Sequence, residues 1–235
     1  MDVREAIKTR RSVKKYLDKA VPDNIIGSIV EAGSLAPSAG NKQPWKFIVI
    51  KDPDTRENVA RHCKEQYWMT KAPVHIAVVS DESMMEKFYG KRAGFYSVQS
   101  CSAAAENMLI MAHGQGLGAC WVSGFDDMEL ANDLGLPSGS RVQVVMTLGY
   151  PTKEIRRKTT RPLNEVLYLG SYGGKIATLA PFIYDWSTIV SDHVEVVKKD
   201  LEKVLSKEFS DYLKKTKTNI SKLAKKIVDD LRRQH

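Results

Sequence analysis

Arg10, Ser12 and Lys14 occupy alternate positions in the run Thr9-Arg10-Arg11-Ser12-Val13-Lys14-Lys15-Tyr16. In an extended segment alternate residues share a face, so the run sets a cation on either side of a hydroxyl. Guanidinium and hydroxyl groups both donate to phosphate oxygens, which makes this face a candidate phosphate clamp. A solvated basic run is the commoner fate of such a sequence, and Ser12 and Val13 interrupt it without removing that reading. Lys158 and Arg161 could reach the same anion as Arg10, or remain surface charge.

A second stretch, Leu35–Ile50, reads as a helix end, a polar turn and a strand in one piece. The ring of Pro37 stops the preceding helix. Ser38-Ala39-Gly40-Asn41 then offers small side chains and a glycine, so a flat ligand can approach bare backbone. Asn41, Gln43 and Trp45 could set two amides and an indole around a heterocycle. On residue types alone the plainer reading is stronger: a helix-to-strand loop with Trp45 anchored in the core.

Composition bounds what these segments can serve. A chain of 235 residues with 43% hydrophobic content supports one large domain, or one domain with an appendage. The net charge of +8 fits an anionic ligand or surface without choosing between nucleic acid, phosphate and membrane. Cys63, Cys101 and Cys120 sit far apart with no CxxC, which suggests buried thiols in a reducing compartment, not a disulfide frame or zinc site. The N-terminal run lacks the apolar core of a signal peptide, and no apolar run is long enough to span a bilayer. These features point to a soluble cytoplasmic protein.

The elements that must position the two segments follow from periodicity. Helices are expected over Asp2–Lys8, with Val3, Ala6 and Ile7 on one side, and from Pro22-Asp23, with Ile25, Ile26, Ile29 and Val30 as a buried stripe. Asp52-Pro53-Asp54 caps a helix over Thr55–Gln66, and Tyr96–Gln115 forms a long central helix rich in small residues. A further short helix is expected over Asp126–Asp133. Strands are expected at Lys46–Ile50, Val74–Ser80, Ala119–Val122 and Arg141–Gly149. Asp81–Phe95 fits either a lid over a pocket or an ordinary helical connection. His75 lies inside a buried strand with no second ligand at metal spacing, so it reads as structural. Gly114–Ala119 matches GxGxxA loosely, but a helix precedes it and a strand follows, the reverse of a dinucleotide fingerprint. From about Pro181 the composition turns lysine-rich. Apolar residues within 192–235 recur at three-four spacing, as in one or two amphipathic helices packed on the body or a partner.

Four segments together resemble the nitroreductase family of flavoproteins: Arg10–Lys14, Ala36–Trp45, Gly116–Phe125, and Leu148–Pro151 with Lys158 and Arg161-Pro162-Leu163. The resemblance spans roughly residues 1–169. It implies an α+β fold, with a central, mainly antiparallel sheet flanked by helices, and a homodimer with FMN at the subunit interface. By that resemblance residues 1–180 form the FMN-binding domain; the lysine-rich helical extension read from apolar spacing, residues 181–235, lies outside it. Arg10, Ser12 and Arg161 would hold the FMN phosphate, with Arg11 and Lys158 nearby, and Lys14 would lie by the pyrimidine edge of the flavin. Ser38, Ala39 and Asn41 would line the ring, from the other chain's turn or from the same one. Ser123 and Gly124 would offer backbone N–H groups to flavin N5 and O4. The chain departs from the family pattern at Ser100, near which many members carry an acidic residue.

The activity the resemblance implies is an FMN-dependent oxidoreductase. NADH or NADPH would be the donor, and a nitroaromatic, quinone or similar small electrophile the acceptor, in a ping-pong cycle. The flavin itself carries the hydride, so no side chain is named as a general acid or base. The rival reading is a non-catalytic flavin-binding dimer, a scaffold or redox sensor whose C-terminal helices bind a partner. Acidic residues interspersed along those helices, such as Asp200, Glu202, Asp211 and Asp229, argue against nucleic-acid or membrane binding there.

Overall fold

The computed structural model describes residues 1–152 and 160–174. The chain divides into two units, Met1–Thr159 and Thr160–His235. Lys158 and the 181–235 extension lie outside the described residues.

The first unit is built on a four-stranded sheet of order β1-β2-β4-β3, formed by β1 (Trp45–Ile50), β2 (Val74–Asp81), β3 (Gly118–Val122) and β4 (Ser140–Gly149). All three pairings are antiparallel. Central strand β2 reads VHIAVVSD and is buried on both faces, as its unbroken apolar run requires. Val74, Ile76 and Val78 pack with α2 (Asp23–Ser34) and α5 (Ala93–Gly114). Ala77 and Val79 pack on the other face with α3 (Pro53–His62) and α6 (Asp127–Asp133). The sheet is therefore sandwiched between two helical layers.

Sequence chemistry sets the element ends. Asp2 caps α1 (Val3–Thr9) by accepting from the Glu5 amide at 2.9 Å. Asp52 does the same for α3 through Thr55, with Pro53 at the first helical position. Helix α3 ends at His62, short of the expected Gln66, because Lys64 and Glu65 both take the left-handed conformation, with φ of 59° and 56°. The stripe on α2 is as expected, with Ile26 and Ile29 buried and Ile25 and Val30 packed against the same core. On α1 only Ala6 is buried, and Val3 and Ile7 are exposed, against the expected apolar side. Seven residues give two turns, and the face lying on α5 is too narrow to cover three side chains.

Helix α5 begins at Ala93, three residues before the expected start, and its small residues Ala104, Ala105 and Ala112 are buried against the sheet and α2. The stretch expected to be lid or connection is helical: α4 (Glu82–Tyr89), capped by Asp81, then a short 3₁₀ turn over Gly90–Arg92. One irregularity crosses the sheet. Val78 pairs with Val144 but Val79 pairs with Val142, so Gln143 is an extra residue in β4. Its side chain donates to Ser80 Oγ at 2.8 Å and to Glu82 Oε1 at 3.3 Å.

Among the described residues of the second unit, α7 (Leu163–Val166) follows Pro162. No helix among the described residues is long and apolar enough to cross a membrane.

Candidate functional site

The basic run leaves α1 and lies along the free edge of β3. Ser12 bridges to Ala119 in parallel register, and the Val13 amide donates to the Ala119 carbonyl at 3.0 Å. Further on, the Leu17 amide donates to the Tyr150 carbonyl at 2.8 Å, and the Thr152 amide to the Lys15 carbonyl at 3.2 Å. The run thus covers the edge as an irregular fifth strand. Val13 and Tyr16 point inward and anchor it, while Ser12 and Lys14 are exposed. Gly118 makes the approach possible, because a Cβ there would lie 2.8 Å from the Val13 side chain.

Within the run each polar group has a distinct setting. Arg10 is half-buried, with Nε 3.4 Å from Glu106 of α5. Arg11 turns back to donate to the Lys8 and Arg10 carbonyls, both at 2.7 Å. Lys14 places its ammonium 4.8 Å from the centre of the Trp68 ring. Ser12, Lys14 and Arg10 all border Cys120 of β3, whose thiol is pushed up by burial and pulled back by those neighbours. Beyond Arg11, His113 accepts or donates a 2.7 Å hydrogen bond with Thr9. Burial, then the charges of Arg10 and Arg11, hold its imidazole below the ordinary histidine range.

The second segment is a tight turn between α2 and β1. Gly40, Asn41 and Gln43 have φ of 52°, 54° and 50°. The Ser38 hydroxyl accepts from the Gln43 amide at 3.0 Å, and Gln43 Nε2 donates to Asn41 Oδ1 at 3.1 Å. From α5, Ser100 accepts from the Ala39 amide at 3.3 Å while donating to the Tyr96 carbonyl. Ser38 and Ala39 are half-buried and Asn41 is exposed. Trp45 is 6% exposed and belongs to the α2–α5 core. The plainer reading therefore holds for Trp45, and its indole is not free to line a ligand.

Ser123 and Gly124 follow β3 directly and are exposed. Arg161 is exposed just before α7, in the second unit. The sheet register separates the run from the turn. Ser12 belongs to the row Ala119–Leu148–Val74, and Trp45, at the end of the turn, to the row Arg141–Ser80. The two segments flank opposite edges and opposite ends of the sheet. The rows lie six residues apart along β2, roughly 20 Å at strand rise. Among the described residues no hydrogen bond or ion pair joins residues 10–14 to residues 38–43.

Three supporting residues were not legible as such. Tyr16 and Thr147 tie the run to β4, and Trp68 receives Lys14. Only the tertiary pairing of distant segments reveals them, and no local pattern could have.

The comparisons with known proteins agree with this architecture. The Nitroreductase model, described as "Nitroreductase family", matches residues 7–71 and 63–150. A Methanothermobacter thermautotrophicus protein named "Putative NADH dehydrogenase/NAD(P)H nitroreductase" is 39% identical over 157 residues, 65% of this chain and 79% of its own length. The crystal structure of a Bacteroides thetaiotaomicron protein of the same name has a TM-score of 0.64 at 28% identity, covering 71% of this chain and 96% of that one. An FMN-dependent nitroreductase from Clostridium difficile shares the fold, with a TM-score of 0.62 at 24% identity over 72% of this chain and 99% of its own. Both the edge segment and the turn fall inside the matched residues, and the chain belongs to the nitroreductase family of oxidoreductases.

Proposed function

We propose that the chain is a homodimeric enzyme that binds FMN and uses NADH or NADPH to reduce small electrophilic acceptors such as nitroaromatics and quinones. The observation that carries this reading is the edge segment, where Ser12 and Lys14 stand exposed beside Arg10 on a backbone pinned to β3. The exposed side chains of this segment are donors, which suits a phosphate. The residues present therefore fit FMN.

In this reading Arg10 and Ser12 would hold the phosphate with Arg11 nearby, and the family resemblance alone would add Arg161 and Lys158. Lys14 would lie at the pyrimidine edge, where a cation favours negative charge on the ring. Ser123 and Gly124 would offer backbone N–H groups to N5 and O4 and so orient the ring. When bound, FMN would supply the redox chemistry, taking a hydride from NAD(P)H and giving electrons to an acceptor in the donor's place. The protein supplies position and electrostatics.

The homodimer rests on the separation just described. The turn carrying Ser38, Ala39 and Asn41 stands at the far corner of the sheet from Ser12. A ligand using both corners draws one from each of two chains. Exposed apolar side chains on α1 and α5, namely Val3, Ile7, Val98 and Met111, suit burial between two copies.

The test is direct. Purified protein is expected to be yellow, to release FMN on denaturation, and to lose its visible absorbance anaerobically on addition of NADH or NADPH. A colourless protein that ignores added FMN sinks the reading.

A further inference from the structure

Tyr89, at the end of α4, and Phe95 and Tyr96, in the first turn of α5, form one aromatic cluster. The Tyr89 and Tyr96 ring centres lie 4.9 Å apart, and those of Phe95 and Tyr96 lie 5.7 Å apart. Phe95 is 55% exposed and Phe88, on α4, is 56% exposed. Water therefore covers aromatic faces that a flat ligand would cover better. Two cations border them. Arg92 stacks 5.0 Å from the Tyr96 ring and 5.5 Å from Phe95, and the Lys42 ammonium lies 3.6 Å from the Phe88 ring.

Neither cation is paired with a carboxylate among the described residues. On α4, Glu82 is taken up by Arg141 at 3.9 Å and Gln143 at 3.3 Å. That leaves Glu86 as the one unengaged carboxylate of the stretch Glu82–Tyr96, against Lys87, Lys91 and Arg92. The patch also touches the turn already assigned to the ring. A side chain on Gly40 would collide with the Tyr89 hydroxyl, and that hydroxyl has no hydrogen-bond partner among the described residues.

We propose that this patch is the acceptor subsite and that it selects planar aromatic acceptors carrying a negative charge. The proposal rests on the FMN reading above. The exposed Phe95 ring receives the acceptor's plane, with the tilted rings of Tyr96 and Tyr89 beside it. Arg92, whose guanidinium lies over the Tyr96 and Phe95 rings and has no carboxylate partner among the described residues, donates to a carboxylate on the acceptor. Lys42 leads the same charge toward the turn that holds the flavin.

The probes are 4-nitrobenzoate and 4-nitrobenzamide, which share a ring and a nitro group and differ in charge. The two-electron step converts nitro to nitroso and releases water, while one NADH becomes NAD⁺ and one proton is consumed. With FMN-loaded protein, kcat/KM for the anion is expected to exceed that for the amide about tenfold, the scale of one charge-assisted hydrogen bond. The ratio is expected to fall with added salt. It is also expected to drop toward unity in Arg92→Ala and in Lys42→Ala, and to recover partly in Arg92→Lys. Titration of the oxidised protein with benzoate and benzamide, followed in the visible spectrum, is expected to show the same order without turnover. Equal rates and equal binding, or a ratio unmoved by Arg92→Ala, overturn the proposal. So does an Arg92→Ala effect confined to the KM for NADPH, which makes the patch a donor site. A yellow protein bleached by NADH that shows no charge preference sinks the subsite alone, whereas a colourless protein sinks the FMN reading with it.

Discussion

The Tyr16 hydroxyl donates to the Val13 carbonyl at 2.5 Å and receives the Thr147 hydroxyl at 2.7 Å. One phenol thereby fastens the basic segment to itself and to β4, in a buried setting that holds its pKa well above the ordinary tyrosine range.

Tyr16→Phe keeps the ring and removes both bonds, leaving a buried carbonyl and a buried hydroxyl without that partner. The expected cost is about 1–3 kcal/mol, read as a lower urea midpoint with an unchanged slope. Bound flavin per chain is expected to fall as well, because the same contacts set the register of Ser12 and Lys14.

Two glycines should respond with opposite signs. A Cβ on Gly149 would lie 2.6 Å from Pro73 and 2.9 Å from the Tyr16 ring, so Gly149→Ala should destabilise by about 1–3 kcal/mol. Gly27, inside α2, has nothing within 4 Å of that position, and Gly27→Ala should stabilise by up to about 1 kcal/mol. Thermal midpoints of the two variants against the parent decide the matter.

His75 predicts a pH dependence. Its Nε2 donates to the Met69 carbonyl at 2.9 Å, and its buried Nδ1 has no partner to receive a second proton. Burial chiefly, with the Arg56 charge, lowers its pKa from 6.5 to about 4. The folded pKa lies below the unfolded one, so the unfolded chain gains a proton first as pH falls. Stability should therefore decline between about pH 6.5 and 4, by about 3 kcal/mol in all, and lose nothing further from this group below that. Urea midpoints across the range should show the decline in the parent and a flatter profile in His75→Gln.

The three cysteines are buried and unpaired, and burial pushes Cys63 and Cys101 up to about 12. Native protein should leave a thiol-reactive disulfide reagent almost unconsumed at pH 8, and should take up three equivalents per chain once denatured. Prompt modification of the folded chain would show that one of these sites opens.

Much of the first unit was legible in the sequence. The four strands, the caps at Asp2 and Asp52 and the turn at Ser38–Asn41 are local chemistry, and local chemistry is what a sequence displays. The end of α3 was misread because two left-handed residues without glycine, Lys64 and Glu65, leave no compositional mark. The exposure of Val3 and Ile7 escaped because periodicity shows which residues share a face, not whether anything covers it. Trp45 shows the same limit at the candidate site, since a tryptophan in a polar turn fits a ligand or a core until its neighbours are known. The attachment of the basic run to β3 depends on pairing across more than one hundred residues, Ser12 with Ala119, which no local pattern encodes.

The distance across the sheet between Ser12 and the Asn41 turn has a genetic consequence in the proposed dimer. One chain disabled at Arg10 and another disabled at Asn41 would each be inactive alone. Paired, they would place both lesions in one pocket and leave the other intact. Randomly exchanged subunits would then recover about one quarter of the wild-type sites, an interallelic rescue that a pocket contained within a single chain cannot produce.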